Sequence, residues 1–167
     1  MTSIQTKDVV FAELKNELLE QGFTIVQADT ERPWGGFFVI DESQAQAFAN
    51  RYFDGLDVND LKISGKLSPK ILVVAPGTRL SWQYHHRRAE IWRLIKGMAG
   101  VCTSFTDVEG PLKTLSIGEC ITLQQGERHR LIGLDTWGVV AEIWQHTDTT
   151  QPSDEADIVR VQDDFGR

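Results

Sequence analysis

The stretch SWQYHHRRAEIW, residues 81–92, decides how the rest of the chain is read. Trp82, Tyr84, Ile91 and Trp92 are residues that strands favour, yet two histidines, two arginines and a glutamate stand among them. Alternation puts Gln83 and His85 on one face, Trp82 and Tyr84 on the other. A short turn through Arg87 and Arg88 returns the chain in a strand where Glu90, Trp92 and Leu94 share a face. Such a hairpin gathers Gln83, His85 and Glu90 at its open end, and a later strand opens on His129. Three of the four histidines, at 85, 86 and 129, fall in these segments. Two imidazoles, a carboxylate and an amide oxygen suit one divalent ion (Zn, Mn, Fe, Ni or Co) and leave positions for water or substrate. For each histidine taken alone, a hydrogen-bonded residue at a strand end is the competing reading.

On either side the pattern is that of short strands. ILVV (71–74), RLSWQYH (79–85), EIWRLI (90–95), GVCTSF (100–105), KTLSI (113–117), CITLQ (120–124), HRLIGL (129–134) and VVAEIW (139–144) are β-branched or aromatic runs punctuated by glycine or Pro-Gly. Eight strands at this spacing predict an all-β sandwich or barrel. Ahead of them, Val10, Phe11, Leu14, Leu18 and Leu19 recur at helical spacing from Asp8 to Gln21, with Gly22 as terminator. A second helix is predicted from Asp41 to Tyr52, with Asp41 or Ser43 as cap and Ala45, Phe48, Ala49 and Tyr52 as its packing stripe.

At 167 residues the chain suits one core, so a single domain is expected over 1–167. The net charge of -7 disfavours nucleic acid while allowing a local basic pocket, so a small partner is expected. Cys102 and Cys120 form no close-spaced pair, which fits a reduced, cytoplasmic setting. No signal-type segment or 18-residue apolar run is visible, so no membrane partner is expected.

The intervals make the chain similar to a known superfamily. Gly77, Gln83, His85, Glu90 and Gly97 fill the first cupin motif with every interval intact. Gly118, Gly126 and His129 fill the second, with Gln124 where proline is usual. More narrowly, the chain resembles the cupin domain of type II mannose-6-phosphate isomerases, the domain fused in many bacteria behind a mannose-1-phosphate guanylyltransferase. Arg32, Pro33, Trp34 and Gly35 match one recurring stretch of that family. Lys70, Pro76, Gly77, Leu80, Ser81, Gln83, His85, Arg88, Glu90 and Trp92 match another. Asp157 to Arg160, Asp163, Phe165, Gly166 and Arg167 match the last. The resemblance spans 31–167 and leaves 1–30 as a helical extension. Ile91, Gln124 and Gly133 depart from the usual residues without touching the ligand set.

The resemblance implies a cupin double-stranded β-helix, a jelly-roll sandwich with added N-terminal helices. It also implies Gln83, His85, Glu90 and His129 as metal ligands and Arg160 as a catalytic or phosphate-binding residue. The activity implied is aldose–ketose isomerisation of a sugar phosphate through an enediolate, with a small anionic sugar as partner. The alternative is a non-catalytic, metal-containing cupin that binds a sugar or small anion. His86 is a second catalytic candidate, because it sits at a turn where alternation often fails. Glu142, a carboxylate in the middle of a strand, is either a base or the partner of an arginine. Lys70, Arg87, Arg88 and Arg130 are candidate substrate cations, and Trp34 could close the barrel end over the sugar. The remaining tryptophans are read as core or interface residues, and a homodimer is expected.

Overall fold

A computed structural model of the chain describes residues 4–61 and 66–166. Arg167, the last residue of the C-terminal match, lies outside them. Helix α1 (Lys7–Glu20) buries Val10, Phe11, Leu14 and Leu18, whereas Leu19 of the predicted stripe is half exposed. It ends where Phe23 N–H donates to Leu18 O and Gly22 N–H to Leu19 O, with Gly22 at φ 87°. This termination needs a left-handed residue, which is why glycine stands there. Helix α2 (Ala45–Tyr52) starts later than expected. Residues Glu42–Gln44 form a 3₁₀ turn instead, capped by Asp41, whose Oδ1 accepts Ser43 N–H at 2.9 Å.

Nine strands form the sheet system among the described residues. They are β1 (Ile25–Arg32), β2 (Gly35–Ile40), β3 (Lys70–Val74), β4 (Trp82–Tyr84), β5 (Arg88–Ser104), β6 (Lys113–Thr114), β7 (Cys120–Leu123), β8 (Arg128–His146) and β9 (Val159–Gln162). Two pairs of expected strands are in fact single long ones. EIWRLI and GVCTSF merge in β5, and HRLIGL and VVAEIW merge in β8. The sequence pattern also gave no sign of β1, β2 or β9.

The strand order is β1-β2-β3-β8-β4-β9, with β5 pairing β6, β7 and β8. Strands β5 and β8 run antiparallel from Arg88↔His146 to Ser104↔Arg128, with register shifts between Leu94 and Lys96 and between Gly97 and Ala99. The ladder bends at those shifts. One half of β8 therefore joins β3, and the other reaches β4 at Gln83↔His129.

Alternation on β3 shows how the two cores arise. Ile71 and Val73 face a cluster with Phe11, Leu18, Phe38 and Phe48 of the helices and outer strands. Leu72 and Val74 face a second cluster inside the sandwich, with Trp34, Trp92 and Leu131. A strand covered on both faces reads as the continuous apolar run KILVV. Trp82, Trp92 and Trp144 are all buried in the fold and present no surface to a partner. Together these features make a cupin-like β-sandwich with N-terminal helices. No helix among the described residues is long and apolar enough to cross a membrane.

Candidate metal centre and its cleft

His85 follows β4, Glu90 lies on β5 between β7 and β8, and His129 is the second residue of β8. One ligand atom from each lies within 4.8 Å of the others. Glu90 Oε1 is 3.4 Å from His85 Nε2 and 3.1 Å from His129 Nε2, and all three side chains are buried. Despite these short distances neither Nε2 has a hydrogen-bond partner.

Proton placement explains why. His85 Nδ1 lies 2.7 Å from Asp157 O, and His129 Nδ1 lies 3.1 Å from Glu127 O. A carbonyl oxygen can only accept, so each ring carries its proton on Nδ1 and presents a bare lone pair at Nε2. Glu90 Oε2 accepts from Arg88 Nε at 3.1 Å, which leaves Oε1 facing those two nitrogens. Three lone pairs directed at one buried point repel one another unless a cation lies between them. Burial alone would raise the Glu90 carboxyl. The adjoining His85 ring, Arg88 and His129 outweigh it and hold the group well below the usual carboxylate range. The donor set thus fits one divalent ion.

Asp157, the first residue of the DIVR stretch, holds the His85 turn in place. The Asp157 carboxylate accepts His86 N–H at 2.8 Å, Arg87 N–H at 2.9 Å and the Ser153 hydroxyl at 2.6 Å. It therefore clamps the turn after His85 while the same residue's carbonyl orients the His85 ring. Asp157→Ala is expected to weaken binding of Zn or Mn by about 10–100-fold, because the turn after His85 loses the carboxylate that clamps it and the ring shifts with that turn. Titration calorimetry on the metal-free protein checks this, and unchanged affinity would remove Asp157 from the site.

Beside the cluster opens a cleft of about 170 Å³ lined by Gln83, Glu90, Trp34, Lys70, Glu142 and Arg160, among others. Arg160 lies on β9 opposite Gln83. Lys70 Nζ is 4.0 Å from Glu142 Oε2 and 3.9 Å from Glu155 Oε1. Trp34 is buried with its indole N–H unpartnered. Arg88 also lines the cleft, with its guanidinium occupied by Glu90, Ser153 Oγ and Asp154 O, and lying 3.9 Å from the centroid of the Trp144 ring.

Three of the expected residues are elsewhere. His86 is exposed, with its ring edge against Tyr84, outside the cleft. Arg87 points to Asp154 at 3.4 Å and does not line the cleft. Arg130 is only 1 % exposed and follows His129 on β8, so it takes the opposite face. There it donates to Leu80 O at 2.8 Å, to Glu109 and to Gln162, tying β9 and the loop after β5 to β8. Conversely, Arg32, Ser81 and Glu155 line the cleft without having been singled out as site residues. The signal for Arg32 was its place in the RPWG stretch.

The sequence profile of a family described as Mannose-6-phosphate isomerase C-terminal matches residues 50–163. The chain is 27% identical over 181 residues to the mannose-1-phosphate guanylyltransferase of Escherichia coli K12, covering 98% of this chain and 31% of that protein. To the mannose-1-phosphate guanylyltransferase ManC of Salmonella typhimurium LT2 it is 30% identical over 141 residues, covering 81% of this chain and 22% of that protein. The chain thus spans a third or less of the length of these relatives, and the likeness at 98% coverage extends over the N-terminal helix, beyond the expected start at residue 31. Among solved structures, the capsular polysaccharide assembling protein CapF of Staphylococcus aureus superposes with a TM-score of 0.54 at 14% identity, over 80% of this chain and 33% of that one. Hazelnut vicilin gives 0.55 at 14% identity, over 83% and 36%. At such identities these two speak for the fold alone. The profile covers every residue of the buried His85, Glu90 and His129 cluster, and the chain belongs to the family of mannose-6-phosphate isomerase C-terminal domains, of cupin type.

Proposed function

We propose that this chain is a metal-dependent aldose–ketose isomerase acting on a sugar phosphate, with mannose 6-phosphate and fructose 6-phosphate as the interconverted pair. The observation that carries this reading is the set of three converging lone pairs beside a cleft rimmed by Arg32, Lys70 and Arg160. Gln83, paired to His129 across β4 and β8 and lining the same cleft, is the proposed fourth ligand. Strands β5 and β8, bending together, support the finer reading of the sandwich as a closed double-stranded β-helix.

Isomerisation requires a proton to leave the carbon beside a carbonyl while negative charge builds on oxygen. A bound divalent ion supplies Lewis-acid polarisation of the sugar's carbonyl and hydroxyl oxygens. The chain's own groups do the rest. Arg160 and Arg32 offer planar guanidinium donors for a phosphate, and Lys70 adds a compact charge. The Trp34 indole N–H gains an acceptor if a sugar hydroxyl lies against it. Leu72, Leu80 and Trp92 give the cleft an apolar wall that limits water.

A coupled assay over aldose and ketose phosphates, with Zn, Mn, Fe, Ni and Co in turn, tests the reading. Turnover is expected with mannose 6-phosphate. Arg160→Ala should lower kcat/KM by about 10²-fold, as loss of a charged phosphate contact of about 2–3 kcal/mol implies. Saturable sugar-phosphate binding without turnover under any metal would instead favour a binding cupin.

A further inference from the structure

Three carboxylates line the cleft: Glu90, which faces the two imidazoles, Glu142, and Glu155, which is largely exposed. Glu142 lies on β8 opposite Trp92 of β5 and Lys70 of β3. It is 4 % exposed and lines the cleft. Its Oε1 accepts the Trp92 indole N–H at 2.8 Å, which fixes the carboxylate plane. Its Oε2 has Lys70 Nζ at 4.0 Å, too long for a hydrogen bond. A buried carboxylate kept for structure alone calls for a close ion pair or several donors. Glu142 has one indole and a distant ammonium.

The groups facing it are Lys70 from β3 and Arg88, Glu90 and Trp92 from β5, with Glu155 beyond Lys70. Burial, and then the charge of Glu90, push the Glu142 carboxyl up to about 7, against the pull of Lys70, Arg88 and the Trp92 hydrogen bond. Glu90 is held well below the usual range. Two buried carboxylates in one cleft, one kept ionised and one poised near neutrality, are the arrangement by which a site separates a charge-stabilising role from proton transfer.

We infer that Glu142 carries the proton between the two adjacent carbons of the sugar phosphate, an inference that rests on the isomerase reading above. Glu142 Oε2 takes the proton from C2 of the aldose, so the C2–H bond breaks and an O–H bond forms. The released pair makes the C1=C2 bond, and the carbonyl π pair moves to O1. The carboxyl then returns the proton to C1 while the hydroxyl proton passes from O2 to O1 and C2=O forms. Atoms and charge balance with no further reactant.

The test compares the manganese-loaded parent with Glu142→Gln and Glu142→Asp in deuterated buffer. Glutamine keeps an acceptor for Trp92 and removes a buried charge, so the variant is expected to fold, which its melting curve verifies. Glu142→Gln should retain the parent's metal content and its calorimetric affinity for fructose 6-phosphate. It should lose turnover and solvent-deuterium incorporation at carbon by about 10²–10⁴-fold. Glu142→Asp should fall between the two. A base works only when deprotonated, so the parent's rate should climb as pH rises through the Glu142 titration and then level. That limb should vanish in Glu142→Gln. A glutamine variant within tenfold of an active parent, with the limb intact, overturns the role of Glu142 and leaves the isomerase reading standing. A parent that turns over no sugar phosphate overturns both.

Discussion

Glu90→Ala is expected to release the ion and weaken the fold in one step, taking bound metal from one per chain to near zero. The metal effect follows from geometry, because Glu90 Oε1 is the atom that both imidazoles face, at 3.4 and 3.1 Å. The stability effect follows from Arg88. That guanidinium is 5 % exposed and donates to Glu90 Oε2, Ser153 Oγ and Asp154 O. Without Glu90 its charge remains buried beside Trp144 with no carboxylate bonded to it, Glu142 acting on it only at longer range. Breaking a buried pair from one side costs about 3–5 kcal/mol. For a chain of this size that corresponds to roughly 6–20 °C in Tm. The metal-free protein is the sample to use, since ion binding would add its own stabilisation to the parent. The pH dependence has a definite sign. Glu90 has a folded pKa below its unfolded one, so its contribution is complete above the ordinary carboxylate range and disappears as pH falls through the folded value. The gap between parent and variant should therefore be wide at pH 7 and narrow in acid. Equal melting temperatures at pH 7 would show that Arg88 does not depend on Glu90.

The ligand set was legible because alternation and motif intervals are local properties of a strand, and both placed His85, Glu90 and His129 correctly on converging faces. What surrounds the set was less so. The clamp from Asp157 to the turn at His86 spans 71 residues, and nothing in DIVR distinguishes an aspartate that holds a loop from one that solvates a surface. Arg130 and Arg160 look equally cationic in sequence. Only the face each takes separates a buried tie from a residue on the cleft. Strand β1 was not legible because IVQADTER is a half-exposed edge strand with little apolar alternation. Strand β9 has four residues, whose pairing with β4 is what makes them a strand.

Gly97 shows a different failure, since a glycine inside a strand reads as a turn between two strands when it is a bend within one. Its replacement carries the second large effect. Gly77 and Gly97 bound the first motif and share a left-handed φ, 71° and 74°. A Cβ on Gly77 would meet nothing within 4 Å, whereas one on Gly97 would lie 1.8 Å from Trp137 O. Gly77→Ala should therefore cost only the left-handed strain, about 1–2 kcal/mol. Gly97→Ala adds a collision with backbone that cannot rotate away, at the place where Gly97 faces Gly138 across the β5–β8 ladder. Relief requires that ladder to open at its bend, for an expected loss of about 3–5 kcal/mol. Urea unfolding of the two variants separates the causes. Similar losses would mean that backbone conformation alone demands both glycines. A much larger loss at Gly97 ties the bend to the carbonyl of Trp137, and through β5 to the position of Glu90, seven residues earlier on the same strand.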